Sequence, residues 1–176
     1  MCIRDRVFEG PEDYHKRLNS KKLKIDENSI LIIRGCGPVG YPGSAEVINM
    51  QPPDKLLKKG INTLPTLGDG RQSGTSASPS ILHVSPESAV GGDLGIVKTG
   101  DKIKIDLNKR RVDLLISQSE FKNRRKKIKK FKINNQTPWQ EIFRDTVGQL
   151  EDGACIKSRG IYLKVSTSKG IPRDSH

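Results

Sequence analysis

The chain has 176 residues, of which 33% are hydrophobic and 5% aromatic, enough for one good core and thin but globular in composition. No apolar run approaches a membrane span and no secretory leader is visible, which makes a membrane protein an unlooked-for class. The net charge of +12 suggests polyanionic partners, and the three cysteines, Cys2, Cys36 and Cys155, follow neither a metal-type nor a disulfide spacing, so a reducing cytoplasm is the simplest location.

In chain order, Met1 to Arg6 read as neither a leader nor a helix start. They resemble a translated sequencing adapter, so residues 1–6 are expected to be non-native, and the native protein is expected to extend further upstream. Residues 7–118 are then expected to form a barrel-like domain, with 119–176 as its helical extension and tail. Glu9 to Leu18 reads as a short helix after Pro11, anchored by Phe8, Tyr14 and Leu18. Ile30-Leu31-Ile32-Ile33 reads as a strand buried on both faces. Pro52 to Gly60 reads as a short helix opened by proline and an acid and closed by glycine.

Ile61 to Leu67 and Ile81 to Val84 read as strands around a polar loop. Ser85-Pro86-Glu87 reads as a helix start with Ser85 as N-cap, ended by Gly91-Gly92. Leu94 to Val97, Lys102 to Leu107 and Arg111 to Ile116 follow as strands, the last two joined by a turn at Asn108-Lys109. Ser119 is expected to cap a basic helix with Phe121, Ile128 and Phe131 as its apolar stripe. Thr137-Pro138-Trp139-Gln140 is a capping box. Its helix carries Trp139, Ile142, Phe143, Val147 and Leu150 on one face, read as core, and stops at Gly153. Strands dominate the first two thirds, and twelve of the seventeen glycines lie between Gly35 and Gly100. Together these features predict an α+β fold: a bent, barrel-like sheet with short helices at its ends, then two C-terminal helices.

Lys122 to Lys132 holds eight basic residues. It reads first as a solvated helix face and second as a nucleic-acid-binding patch, for which only Phe121 and Phe131 offer stacking. Gly35-Cys36-Gly37-Pro38-Val39-Gly40 matches the dinucleotide pattern literally. Pro38 has no N–H to offer, however, and Pro42-Gly43 stands where a helix should propagate, so a turn-rich loop is expected.

The stretch Gly68 to Ser80 packs three glycines, four serines, one threonine, Asp69 and Arg71 into thirteen positions. It lacks the Gly-Lys-Ser/Thr ending of a phosphate loop. Ser73 has Arg71 and Thr75 where a nucleophile elbow needs glycines. A triad with His15, His83 or His176 has no supporting spacing, and His83 reads as a strand residue. What remains is a carboxylate, Glu46, and a hydroxyl-rich loop, a donor set suited to a hard cation holding an oxygen-rich substrate.

Ile32 to Met50, with its Gly-Tyr-Pro-Gly-Ser-Ala-Glu core, resembles the C-terminal domain of the dihydroxy-acid dehydratase / phosphogluconate dehydratase family. So does Gly68-Asp69-Gly70-Arg71-Gln72-Ser73-Gly74-Thr75-Ser76-Ala77-Ser78-Pro79-Ser80. The Gln-Ser-Gly-Thr-Ser and Gly-Tyr-Pro-Gly variants resemble the sugar-acid branch, which dehydrates pentonates such as arabinonate and xylonate. The resemblance runs from about Phe8 to Cys155 and implies a swivelling β/β/α barrel-like domain of a cytoplasmic hydro-lyase. It implies a 2Fe-2S cluster, whose ligands would lie outside this chain, and Mg2+, with conversion of a 2,3-dihydroxy acid to a 2-keto-3-deoxy acid. By position, Glu46 matches a Mg2+ ligand, Ser73 the proposed alkoxide base and Thr75 a second essential hydroxyl. Arg71 either adds to the positive field around Ser73 or pairs structurally.

The implied partners are a sugar-acid substrate and the N-terminal domain of the same protein, in a homodimer or homotetramer, with no nucleic acid or membrane. The chain alone is expected to be inactive and to bind no cluster, with Cys36 and Cys155 as ordinary thiols. The alternatives are a branched-chain dihydroxy-acid dehydratase and, from another class, a basic nucleic-acid-binding module.

Overall fold

The computed structural model describes residues 2–46, 49–74, 76–128, 134–158, 160–161 and 164. Six strands form a single mixed sheet in the order β4-β3-β2-β1-β5-β6: β1 (Cys2–Glu9), β2 (Ser29–Arg34), β3 (Thr66–Gly68), β4 (Ser80–Ile81), β5 (Lys102–Asp106) and β6 (Arg111–Leu114). The first four run parallel, while β5 pairs antiparallel with both β1 and β6. The outer strand β4 and the distant β5 line one cleft of about 670 Å³, with Thr66, Ile81 and Ile105 on its walls. Two strands separated by three others reach a common cleft only if the sheet curls. The result is an open half-barrel of the expected α+β class.

The apolar run at 30–33 lies at the centre, buried on both faces as its composition requires. Leu31 and Ile33 join Phe8, Tyr14, Ile25, Met50 and Leu64 on one side. Ile30 and Ile32 join Ile3, Val7, Leu67, Leu94 and Ile103 on the other. The period of two along a strand thus divides one sequence run between two cores. On the first side α1 (Gly10–Arg17) sets the Tyr14 ring edge-on to Phe8, with centroids 5.3 Å apart, and α2 (Asp54–Leu57) contributes Leu56.

Several elements depart from the sequence expectations. Residues 2–6, for which the sequence suggested no element, belong to the central strand β1 with Arg4, Asp5 and Arg6 in it. Leu94 to Val97 is no strand: Asp93–Ile96 is a 3-10 turn, with the Gly95 N–H bonded to the Gly92 carbonyl. Its apolar side chains fill the second core without joining the ladder. The helix expected from Ser85 is only a 3-10 turn at Ser88–Val90, since Glu87 keeps an extended backbone and Gly91 takes a left-handed conformation at φ 95°. His83 lies beyond β4 with φ 59° and is no strand residue.

α3 (Gln118–Lys126) is capped by Ser117, which accepts from the Glu120 N–H at 3.2 Å, two residues earlier than Ser119. α4 (Pro138–Thr146) starts at the expected cap, with Thr137 accepting from Gln140 N–H, but ends before Val147. Its apolar face is not core. Trp139 is 79% exposed, Ile142 53% and Phe143 43%, and only Val147 beyond the helix is buried. Lys129 to Lys132, Phe131 among them, lie outside the described residues, as does the tail from Tyr162 onward save Lys164. Among the described residues no helix is long and apolar enough to cross a membrane.

Candidate active site

The parallel strands β2 and β3 are neighbours, and each runs straight into one of the two glycine-rich loops. Loops leaving the carboxyl ends of adjacent parallel strands must start side by side, which is where open parallel sheets gather ligands. Residues 35–46 follow β2 and residues 69–79 follow β3. Their bases are joined by a side chain with no exposed surface, Asp69. One carboxylate oxygen accepts from Cys36 N–H at 3.0 Å. The other accepts from Gly35 N–H at 3.0 Å, Ser88 N–H at 2.9 Å and the Ser88 hydroxyl at 2.6 Å. Ser88 Oγ in turn accepts from Gly35 N–H at 2.8 Å.

A second buried carboxylate holds the middle of the first loop. Glu87 accepts from Val39 N–H and Gly40 N–H, each at 2.9 Å, and from the Gln149 amide at 2.8 Å. Gln149 returns its carbonyl to Glu87 N–H at 2.9 Å, so the segment after α4 is tied to the same loop. The N–H groups that a dinucleotide loop would offer to a pyrophosphate are therefore already committed to protein carboxylates. Tyr41 N–H closes the loop onto Gly35 O at 2.7 Å and Ser44 N–H onto Cys36 O at 3.0 Å.

The second loop is held from below by Gln72, which is buried. Its amide donates to Thr66 Oγ1 at 3.0 Å, and its carbonyl accepts from Ser76 Oγ at 3.1 Å. Ser73 follows, half-buried, with its carbonyl accepting from Ser76 N–H at 3.0 Å. Thr75 lies outside the described residues. Glu46, at the end of the first loop, is exposed and forms an ion pair with Arg71 of the second. The structure thus brings the Glu46 and Ser73 loops together at the base through Asp69 and at the rim through Arg71.

Tests of fit for the implied groups give different answers. Glu46 supplies a hard carboxylate oxygen, and two residues before it Ser44 Oγ is buried with no hydrogen-bond partner among the described residues. Oxygen donors of this kind suit Mg2+, as one side of a site. No group of three His, Cys, Asp or Glu assembles among the described residues, so the remaining ligands would have to come from elsewhere. An iron–sulfur cluster needs thiolates, and the two cysteines whose side chains are described do not fit one. Burial, reinforced by Asp69, pushes the Cys36 thiol up to about 12, and Cys155 sits apart beyond α4.

Asp69, Glu87 and Gln149 were not singled out as site residues by the sequence reading. The Gly68-Asp69-Gly70 sandwich carried the signal for the first: an acid between two glycines, one of which would place a Cβ 2.8 Å from Ile33 Cγ2.

The family profile described as dihydroxy-acid/6-phosphogluconate dehydratase C-terminal matches residues 3–154. The chain is 53% identical over 170 residues to a protein named D-xylonate dehydratase from Caulobacter vibrioides, covering 97% of this chain and 28% of that protein. It is 40% identical over 173 residues to an L-arabinonate dehydratase of Rhizobium leguminosarum, covering 97% of this chain and 29% of the relative. A dihydroxy-acid dehydratase of Thermodesulfovibrio yellowstonii is 38% identical over 153 residues, 86% of this chain and 27% of its own. The chain therefore spans little more than a quarter of the length of these relatives. It belongs to the dihydroxy-acid/6-phosphogluconate dehydratase C-terminal family, an enzyme family whose named members here are dehydratases.

Proposed function

We propose that this chain supplies one wall of the active site of a sugar-acid dehydratase, with Ser73 as the base and Glu46 as a Mg2+ ligand. The observation that carries the reading is the convergence of the Glu46 and Ser73 loops at the carboxyl ends of β2 and β3, joined by Asp69 and by the Arg71–Glu46 pair. The sugar-acid branch is favoured over the branched-chain one by the 53% identity to a protein named for xylonate, against 38% and 41% for two proteins named dihydroxy-acid dehydratase.

In this reading the Ser73 alkoxide removes the proton at C2 of a 2,3-dihydroxy acid, the C2–H electron pair forms the C2=C3 bond, and the C3–O bond breaks with the hydroxide taking up a proton to leave as water. The resulting enol tautomerises to a 2-keto-3-deoxy acid. A free serine hydroxyl is far too weak an acid to serve as an alkoxide near neutral pH, so positive charge must stabilise it. Arg71, two residues away in sequence, contributes a cation, which pairs at the rim with Glu46 of the opposite loop. When bound, Mg2+ would supply charge stabilisation for the substrate oxygens and the alkoxide. Thr75 is assigned as the companion hydroxyl on its sequence position. No step is assigned to an iron–sulfur cluster, since neither Cys36 nor Cys155 is suited to hold one.

Two of the described cations of the basic run are already committed to ion pairs, which weighs against the nucleic-acid reading. Arg124 is tied to Asp101 and Glu120, and Arg125 to Asp93. The test is Ser73→Ala in the full-length protein. Loss of pentonate dehydration by at least about a thousandfold is expected, with little activity toward dihydroxyisovalerate in the parent enzyme. The isolated 176-residue chain should show neither activity nor a cluster absorption band. An active Ser73→Ala enzyme would sink the assignment.

A further inference from the structure

We infer that Asp69, acting with Ser88, is a positioning residue that sets the separation of the Ser73 and Glu46 loops; this rests on the reading of the site given above. Asp69 sits four residues before Ser73, fully buried, yet most of its contacts belong to other segments: Gly35 and Cys36 at the root of the Glu46 loop, and Ser88 in the 3-10 turn. Three backbone N–H groups and one hydroxyl converge on two oxygens, so both must be acceptors. An amide in the same place would turn its NH2 toward at least one donor.

The bases of the two loops are also in contact at a distance only glycine allows. A Cβ at Gly70 would stand 2.7 Å from Cys36 Cβ and 3.0 Å from Cys36 O. By contrast, the upper link between the loops is the exposed Arg71–Glu46 pair, and exposed ion pairs fix little. The rigid element between base and metal ligand is therefore the Asp69 cluster. Misplacing reacting groups by about 1 Å can cost a hundredfold in rate, so this hinge-like base controls the chemistry without touching it.

The experiment compares Asp69→Asn, Ser88→Ala and Ser73→Ala in the full-length dehydratase, measuring kcat, KM, thermal midpoint and Mg2+ affinity by titration calorimetry without substrate. Asp69→Asn should lower kcat and weaken Mg2+ binding by roughly 10- to 100-fold, the usual range for residues that orient ligands from behind. Ser88→Ala keeps the carboxylate and should shift both quantities in the same direction by a smaller factor, and the double variant should be less than additive. If folded Asp69→Asn and Ser88→Ala keep kcat and Mg2+ affinity within about twofold and change only the thermal midpoint, Asp69 is a structural residue and the inference fails. Should Asp69→Asn not fold, Ser88→Ala decides by the same criterion. An active Ser73→Ala enzyme would instead overturn the assignment of the base, while the Mg2+ titrations would still judge the role of Asp69.

Discussion

Gly37 lies so close to the Glu87 carboxylate that a methyl group has no room. A Cβ there would stand 2.4 Å from Oε2, 2.6 Å from Cδ and 2.7 Å from Cβ of Glu87. Relief requires Glu87 to move, and moving it releases the N–H groups of Val39 and Gly40 inside the protein. Gly37→Ala should therefore destabilise the chain by about 2–4 kcal/mol, overpacking plus at least one unpaired buried donor. Gly74 offers the contrast, since nothing lies within 4 Å of its added Cβ, and Gly74→Ala should stay within about 0.5 kcal/mol of the parent. Urea titrations of both variants measure the difference, and equal midpoints would mean that Glu87 is not held against the loop. At this scale the site was only half legible. The glycine and hydroxyl composition announced both loops, but Glu87 meets Gln149 across 62 residues of sequence, and Asp69 meets Gly35 across 34. No local pattern encodes partners so distant.

At the scale of elements, legibility followed burial symmetry. The run 30–33 could be read because both its faces are covered, and β5 because its Lys-Ile-Lys start matches one wet and one buried face. β1 resisted because its charges are accommodated within the fold. Arg6 donates to the carbonyls of Asp5, Leu23 and Lys24, which hides a guanidinium that composition places in solvent. In α4 the pattern said apolar face, and the described residues leave most of it exposed, since periodicity tells which residues want burial but not where the partner is. Two substitutions separate these cases. Trp139→Ala should leave the stability of this chain within about 0.5 kcal/mol, because the ring is exposed. Val147→Ala should cost roughly 1–3 kcal/mol, since Val147 is 2% exposed and holds the return segment through its bridge to Ile156. Thermal denaturation ranks the pair, and a Trp139 effect as large as that of Val147 would return α4 to the core.

For the whole molecule, β1 joins the parallel and antiparallel halves of the sheet, and its one unsatisfied group should control the response to pH. Asp5 is buried, with Oδ1 accepting from Gly100 N–H at 2.7 Å and Oδ2 without a partner. Burial, reinforced by the nearby Asp101, pushes its carboxyl up to about 7, against smaller lowering effects from the Gly100 and Asp101 N–H groups and the Arg6 charge. The folded chain therefore holds a proton between about pH 4 and pH 7 that the unfolded chain has released. Stability from this group is fully present below the unfolded value and is lost as pH rises through about 7, with a slope of at most about 1.4 kcal/mol per pH unit. Two other carboxyls shift the opposite way. Burial raises Asp13 most, but the Arg17 hydrogen bond, the Glu9 N–H and the Arg17 and Lys16 charges together outweigh it, and the Arg124 hydrogen bond lowers Glu120. Their contributions disappear only as pH falls below the ordinary carboxylate range, outside the window set by Asp5. The chain should thus be more stable at pH 5 than at pH 8, and Asp5→Asn, neutral at both, should flatten the difference. Urea midpoints at the two pH values for parent and variant give the measurement. An unchanged slope in Asp5→Asn would assign the dependence to another group and leave β1 a strand whose buried acid is neutralised by contacts alone.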